Sequence, residues 1–302
     1  MKNGKNLILA GAFLLSTVAF GQDYTFKVLA NKGANEVKSG DTWQAVKTGS
    51  SLKSGDELKV SENAYLGLVH SSGKPVELKA AGNYKVADLA GKVGGGTTVL
   101  NKYTDFILSS NSAEAKKNRL SATGAVHRGL EDIKVYLPEN QNSGIYNNIA
   151  IINWESSKAA RPFVVTLKNM FDDELMKIET AEASVQIDLN DSKFANESAI
   201  LVEVKSKADP KSKSEQHLIK KLSAADREKI KKSMSTDIPA EVVQTETPLN
   251  KLLLASFYEQ NKLYIDAITA YEQAIKMAPD VPTYVEDYEE FLLRNKLKPA
   301  AK

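Results

Sequence analysis

The sequence predicts a multidomain chain in which two all-β domains are followed by an α-helical module. Three observations carry that expectation. Short alternating runs broken by glycine turns fill the stretch from Tyr24 to Val86. A second series of six β-like runs extends from Ile149 to Leu222. From Pro248 to Asp280 the apolar positions change to helical spacing.

The chain opens MKNGKNLILAGAFLLSTVAFGQ, with Lys2 and Lys5 ahead of an apolar run from Leu7 to Phe20. That run is short for a membrane span. Ala19 and Gly21 supply the small residues that suit signal-peptidase cleavage, so the expected mature chain begins at Gln22. No cysteine occurs, which removes a lipid anchor, disulfides and thiolate chemistry together. The expected address is outside the cytoplasm, in a bacterial periplasm. The expected division is a signal peptide (1–21), a β-domain ending in a helix (22–110), a linker with strands (111–145), a β-sandwich (146–222), a basic helix with linker (223–246) and a helical module (247–302).

The full chain carries 40 basic and 38 acidic residues, and loss of Lys2 and Lys5 with the leader leaves 38 of each. A chain of zero formal charge has no long-range attraction for nucleic acid. Without disulfides the mature chain depends on ordinary apolar cores, and its length suffices for two or three.

In the first β-domain the runs YTFKVLA, TWQAVKTGSSLKSGDELKV and AYLGLVHSSGKPVELKAAGNYKV are separated at Gly40, Gly55 and Gly73. Alternation sends Tyr65, Gly67 and Val69 to one face of a strand and Leu66, Leu68 and His70 to the other. The stretch Gly49–Leu58 (GSSLKSGDEL), the run Ala64–Leu68 and the series Gly73, Val76-Glu77-Leu78, Gly82 resemble the extracytoplasmic FecR-like domain over about 60 residues. That resemblance implies a module of the kind that senses a ligand and relays it.

Gly91–Thr98 reads GKVGGGTT. A phosphate loop needs lysine where Thr97 stands, so the expectation is a turn into a helix capped by Thr97. The helix is expected over Thr98–Leu108, with Val99, Tyr103 and Phe106 on one side. The polar segment Ser109–Lys117 is read as loosening the chain, and Tyr136–Tyr146 (YLPENQNSGIY) as the domain break.

IAIINW, ending in Trp154, then RPFVVTLKN, ELMKIET, SVQIDL, AILVEVKS and EQHLIKKL make the second β-domain. A tryptophan near an early strand followed by five more strands resembles an immunoglobulin or fibronectin type III sandwich, the cysteine-free fibronectin form being the nearer. Phe171-Asp172-Asp173 reads as a solvated hairpin turn. Ser223 and Asp226 begin a basic helix whose Lys229, Lys231 and Lys232 face solvent.

In the last module Leu254 and Tyr258 lie one helical turn apart with Ala255 beside them, and Ala267, Tyr271 and Ala274 repeat the buried stripe. Thr247 and Pro248 suit a helix start and Pro279 a helix stop. Val285, Tyr288, Phe291 and Leu292 are expected as the apolar face of a further helix after Pro282-Thr283. The spacing of the helix pair resembles the tetratricopeptide repeat over about a ninth of the chain. Lys251 stands where that family has a bulky aromatic, and Asn261-Lys262 replaces the usual turn glycine. The first helix of such a pair lines a concave peptide-binding face. The resemblance therefore implies Leu252, Ser256 and Glu259 as partner-binding positions, the alternative being that Leu252 packs against a neighbouring domain.

The sequence nominates no catalytic, cofactor-binding or metal residues. His70, His127 and His217 lack neighbours at metal-ligand spacing, and no nucleophile elbow or zinc-peptidase motif occurs. The carboxylates Asp105, Glu131-Asp132 and Asp172-Asp173 sit in polar stretches. The expected function is a non-enzymatic interaction or scaffold protein of the cell envelope, with other envelope proteins as partners. The alternative is a glycan- or peptidoglycan-binding, FecR-type module, with Trp43, Tyr65 and Tyr84 stacking on sugar rings.

Overall fold

The computed structural model describes residues 24–93, 100–122, 133–156 and 161–298. The leader, Thr97 and Val99, His127 and Glu131-Asp132 lie outside the described residues. In broad form the chain is a β-sheet region followed by helices at its C-terminal end.

The first β-unit contains β1 (Phe26–Lys32), β2 (Glu36–Ser39), β3 (Thr42–Ala45), β4 (Ser51–Leu52), β5 (Glu57–Val60), β6 (Tyr65–His70), β7 (Pro75–Leu78) and β8 (Gly82–Lys85). They form two four-stranded sheets, ordered β4-β1-β6-β7 and β3-β2-β5-β8. Gly40, at φ +66°, supplies the left-handed step that lets two residues join β2 to β3. Phe26, Val28 and Leu68 from one sheet meet Leu58 and Val60 from the other in a common core. Helix α1 (Val86–Lys92) closes it with Val86 and Leu89.

Strand β6 alternates as expected, yet both faces are covered. Leu66 and Leu68 enter the sheet-on-sheet core, while Tyr65 and Val69 enter a second core shared with helices.

Helix α2 (Asn101–Ser110) starts later than expected and buries Tyr103, Thr104 and Ile107, with Phe106 only partly covered. The segment read as loose is instead helix α3 (Ala113–Ala122). Ser112 Oγ accepts the Ala115 N–H at 3.2 Å, an N-cap ahead of alanine, glutamate and lysine that favour helix.

The second β-unit contains β9 (Ile133–Val135), β10 (Gly144–Ile145), β11 (Ile149–Ser156), β12 (Phe163–Lys168), β13 (Glu174–Thr180), β14 (Ser184–Asp188), β15 (Ala199–Ser206) and β16 (His217–Lys221). Its sheets run β10-β16-β15-β12-β13 and β14-β11-β9, and side chains from both share one core. The six expected runs fall on β11 to β16. The expected break at Tyr136–Tyr146 does not hold, because Val135, Leu137 and Ile145 are buried in this core and β9 pairs with β11. The unit thus begins well before residue 146, its apolar residues scattered among polar ones. Trp154 is buried edge-to-face on Phe163 at 5.5 Å.

The helical end contains α4 (Ala224–Asp237), α5 (Ala240–Gln244), α6 (Pro248–Gln260), α7 (Tyr264–Met277) and α8 (Pro282–Arg294). Ser223 caps α4 by accepting the Asp226 N–H at 3.1 Å, and Lys229, Lys231 and Lys232 are exposed. Thr247 caps α6 through the Asn250 N–H at 3.2 Å, with Pro248 in the first turn. Exposed Pro279 follows the end of α7. On α8 the buried stripe is Tyr284, Tyr288, Phe291 and Leu292, whereas Val285 is exposed. Pro282 occupies the first turn there, but no side chain caps it.

Candidate functional site

The C-terminal helices are the meeting point of the molecule. Towards the first β-unit the contact is apolar. Leu29, Ala30, Tyr65 and Val69 lie in one continuous core with Leu249, Leu252, Leu253, Tyr284 and Tyr103. Backbone approach is close, since a Cβ on Gly67 would stand 3.3 Å from both Leu249 Cδ1 and Ala30 Cβ. The Tyr65 and Tyr284 hydroxyls pair at 2.7 Å. Glu77 of β7 accepts the Leu249 N–H at 3.0 Å, covering an otherwise orphan amide of the first helical turn. Burial opposes ionisation of Glu77, but hydrogen bonds from Lys79 and that amide outweigh it and hold the carboxyl below its ordinary range.

Towards the second β-unit the contact is mainly polar, with Tyr136 and Ile265 as its buried apolar members. Asp266 is 1% exposed and its carboxylate accepts N–H groups from Tyr146, the Asn147 backbone and the Asn147 side chain, each at 2.8 Å. Burial lifts this carboxyl to about 6 against the pull of those donors. Thr269 Oγ1 accepts the Ile151 N–H at 3.0 Å, and Asn153 donates to Glu272 and to the Tyr288 hydroxyl. Side chains of α7 therefore satisfy β11 where it faces the helices. Burial also raises the Glu272 carboxyl.

A buried ionic group ties the helices to one another. Arg294 donates to both carboxylate oxygens of Glu259 at 2.6 Å, a bidentate pair. Asn295 donates to Glu259 at 2.8 Å, and Arg294 reaches Asn111 Oδ1 at 3.0 Å. Asn111 in turn donates to Asp287 at 2.7 Å. The other oxygen of Asp287 is buried without a hydrogen bond, and burial pushes this carboxyl up to about 7.

These facts locate the residues that the sequence nominated. Leu254, Ala255, Tyr258, Ala267, Tyr271 and Ala274 are buried in the helical layer, Tyr271 stacking on Tyr288 at 5.6 Å. The partner-binding positions are not an open face. Leu252 and Ser256 are fully buried and Glu259 is 6% exposed. Ser256 reaches the Tyr103 carbonyl, Glu259 holds Arg294, and Leu252 lies in the core shared with α2. Helix α2 covers the side of α6 that carries them. Sequence reading missed Glu77, Asp266, Asp287 and Arg294, because a charged residue on a helix or strand reads as solvated until a distant partner is known.

The three candidate sugar-stacking aromatics do not converge. Tyr65 is buried. Trp43 shares a cross-strand row with Lys38, Glu57 and Lys85, while Tyr84 belongs to the adjacent row with Leu58 and Val37. Adjacent rows point to opposite faces of the sheet. Trp43 alone is exposed, at 38%.

Of the histidines, His70 bonds Ser72 at 2.8 Å and stacks edge-on against Phe26. His217 is partly buried, and burial with nearby Lys134 pushes it down to about 4. Asp105 is exposed on α2, and Asp172-Asp173 are exposed at the β12–β13 turn, in the other unit. Among the described residues no group of histidines and carboxylates is arranged to hold a metal ion. No described helix is long and apolar enough to cross a membrane.

Two outward features stand out. One is the β12–β13 tip, where Met170 is 56% and Phe171 is 88% exposed. The other is a groove of about 490 Å³ between the first β-unit and the α7–α8 turn, lined by Tyr65, Lys79, Met277 and Val281 among others. Comparison with protein-family models and with curated proteins gives no match to this chain.

Proposed function

We propose that this chain is an exported, non-enzymatic scaffold of the bacterial cell envelope, holding protein partners on the outer surfaces of its two β-units. In this reading α6 and α7 are a tetratricopeptide-like pair serving as a keystone, the first unit is FecR-like and the second fibronectin-like. The observation that carries it is the double docking of one helical layer. The same three helices join an apolar core to the first unit and polar contacts to the second. Such a clamp sets the two sheet units at a fixed spacing. It also leaves apolar side chains such as Trp43 and Phe171 exposed. Pre-set spacing lowers the ordering cost of engaging a partner at two places.

The test is affinity capture of the tagged full chain after cross-linking in its native envelope. Discrete protein adducts are expected, and Trp43→Ser or Phe171→Ser should deplete some of them with the melting temperature unchanged. Capture of nothing beyond the tag control would overturn the reading. So would a hydrolytic activity that copurifies and is lost with a single carboxylate substitution.

Exposed Trp43 favours a second reading, the glycan-binding module. Sedimentation of the full chain with peptidoglycan sacculi, abolished by Trp43→Ser, would support it over the first.

A further inference from the structure

We infer that the connection between β14 and β15 is a glycan-acceptor segment, modified at the side-chain amides of Asn190 and Asn196. The inference rests on the exported part of the scaffold reading and adds a covalent site to it.

The motif is local. Asparagine followed two residues later by serine or threonine, with no proline between them, is the acceptor pattern for N-linked sugar in exported chains. Asn190-Asp191-Ser192 and Asn196-Glu197-Ser198 meet it, and no other asparagine of the chain does. Both lie within residues 190–198, on one connection.

Placement suits modification. Asn190, Ser192, Asn196 and Ser198 are all exposed. Beneath them Leu189 is 3% exposed and Phe194 is fully buried, so the segment is pinned by its apolar residues and turns its polar ones outward. Its backbone is engaged. The Asn190 N–H donates to Asp188 Oδ1 at 2.9 Å, the Lys193 N–H to Asp191 Oδ1 at 2.9 Å and the Phe194 N–H to the Asp191 carbonyl at 2.9 Å. Among the described residues, the side-chain amides of Asn190 and Asn196 and the hydroxyls of Ser192 and Ser198 make no hydrogen bond. An amide that holds nothing in the fold can be substituted without orphaning a partner. Asn111, Asn147 and Asn153 are the contrast, since their amides donate to Asp287, Asp266 and Glu272.

The site also has something to cover. The short 3-10 turn Ser192–Phe194 packs against β13, on which the five-stranded sheet ends. A free strand edge invites pairing with another chain, and bulky sugar beside it obstructs that approach.

The donor class is an oligosaccharide carried on a lipid diphosphate. In the transfer a bond forms between asparagine Nδ2 and the sugar C1, and the bond from C1 to the phosphate oxygen breaks. That electron pair leaves with the lipid diphosphate, and Nδ2 gives up one proton to a base of the transferring enzyme. Nothing is oxidised or reduced.

Mass spectrometry of the tagged full chain, purified from its native envelope, tests this. Trypsin separates the two sites onto the peptides Ile178–Lys193 and Phe194–Lys205. Each should carry added sugar mass and release sugar fragment ions on collision. Asn190→Gln should remove that mass from the first peptide and Asn196→Gln from the second. Ser192→Ala and Ser198→Ala should remove it too, with both asparagines intact, which an adventitious adduct of the amide would not do. Bare peptides from an envelope-recovered chain that begins at Gln22 would overturn the inference and leave the scaffold reading standing. So would sugar that persists at these peptides after both Asn→Gln changes. A chain recovered from the cytoplasm with its leader attached would overturn the inference and the exported reading together.

Discussion

The two β-units dock on the same helices by opposite means. The first presents Leu29, Ala30, Tyr65 and Val69 and merges its outer sheet face with the helical core. The second keeps a core of its own, to which Ile265 is the helical contribution, lends only Tyr136 to the buried helical core, and joins mainly through Asp266, Thr269, Asn153 and Glu272. A merged core spreads its stabilisation over many small contacts. A polar contact concentrates it in a few groups, each costly to orphan. The first seam should therefore fail only together with the fold, and the second should fail by itself.

The sharpest way to break the first seam is Leu252→Asp. It places a carboxylate at a fully buried position in the merged core. The expected loss is more than about 4 kcal/mol, the range of buried unpaired charge, with first unit and helices melting together. Thermal unfolding followed by circular dichroism checks it; an unshifted melting temperature would mean that the residue is not core.

Asp266→Ala attacks the second seam and orphans three N–H donors. At roughly 1–3 kcal/mol for each unsatisfied buried donor, offset by removal of a buried carboxyl, a net loss of about 2–4 kcal/mol is expected. Amide exchange should quicken around Tyr146–Ile151 while the β1 and β6 amides keep their protection. Uniform loss of protection would show that the two seams are not separable.

The pH dependence sharpens the contrast further. Asp287 and Asp266 titrate at about 7 and about 6, above the ordinary aspartate value, because they are buried. The folded chain then holds protons that the unfolded chain has released. Their contribution to stability is present at low pH and is lost as pH rises through 6 and 7. Glu77 and Asp237 are shifted downward, so their contribution is lost only in stronger acid. Partly buried His217, pushed down to about 4, opposes this below the ordinary histidine value, so melting temperature should fall between about pH 6.5 and pH 8, and Asp287→Asn should flatten that slope. An unchanged slope in the variant would count against Asp287 as its source.

The smallest effect belongs to the surface. Lys231 on α4 is exposed and pairs only with exposed Glu228 among the described residues, so Lys231→Ala should move stability by no more than about 0.5 kcal/mol.

What the sequence made legible was local. Thr247, Pro248 and the spacing of Tyr258, Ala267, Tyr271 and Ala274 are written within some thirty residues, and the helices stand there. The alternation at Tyr65–His70 was likewise readable. Hidden were the contacts made at long range: the Tyr65 hydroxyl meets Tyr284 across 219 residues, and Asn111 meets Asp287 across 176. No periodicity records such a meeting. The same cause misplaced Leu252, Ser256 and Glu259. Their helix looks one-sided by itself, and only the arrival of α2 from a distant part of the chain covers them. Helix α3 was missed for a different reason: its polar composition lacks an apolar stripe, so only its Ser112 cap and residue propensities announce it.

The doubly covered strand β6 has a bearing on timing. Leu66 and Leu68 can find their sheet neighbours as soon as the N-terminal hundred residues are made, and α2 follows soon after with Tyr103 and Ile107, but the Tyr65 hydroxyl must wait for Tyr284, encoded 219 residues later. Until that tail emerges, the earliest portion of the polypeptide carries a greasy, unprotected sheet surface, the kind of exposure that favours misassociation in larger chains. Such a nascent intermediate would need shielding by a chaperone, and losing the tail to a protease would strand the head in the same condition.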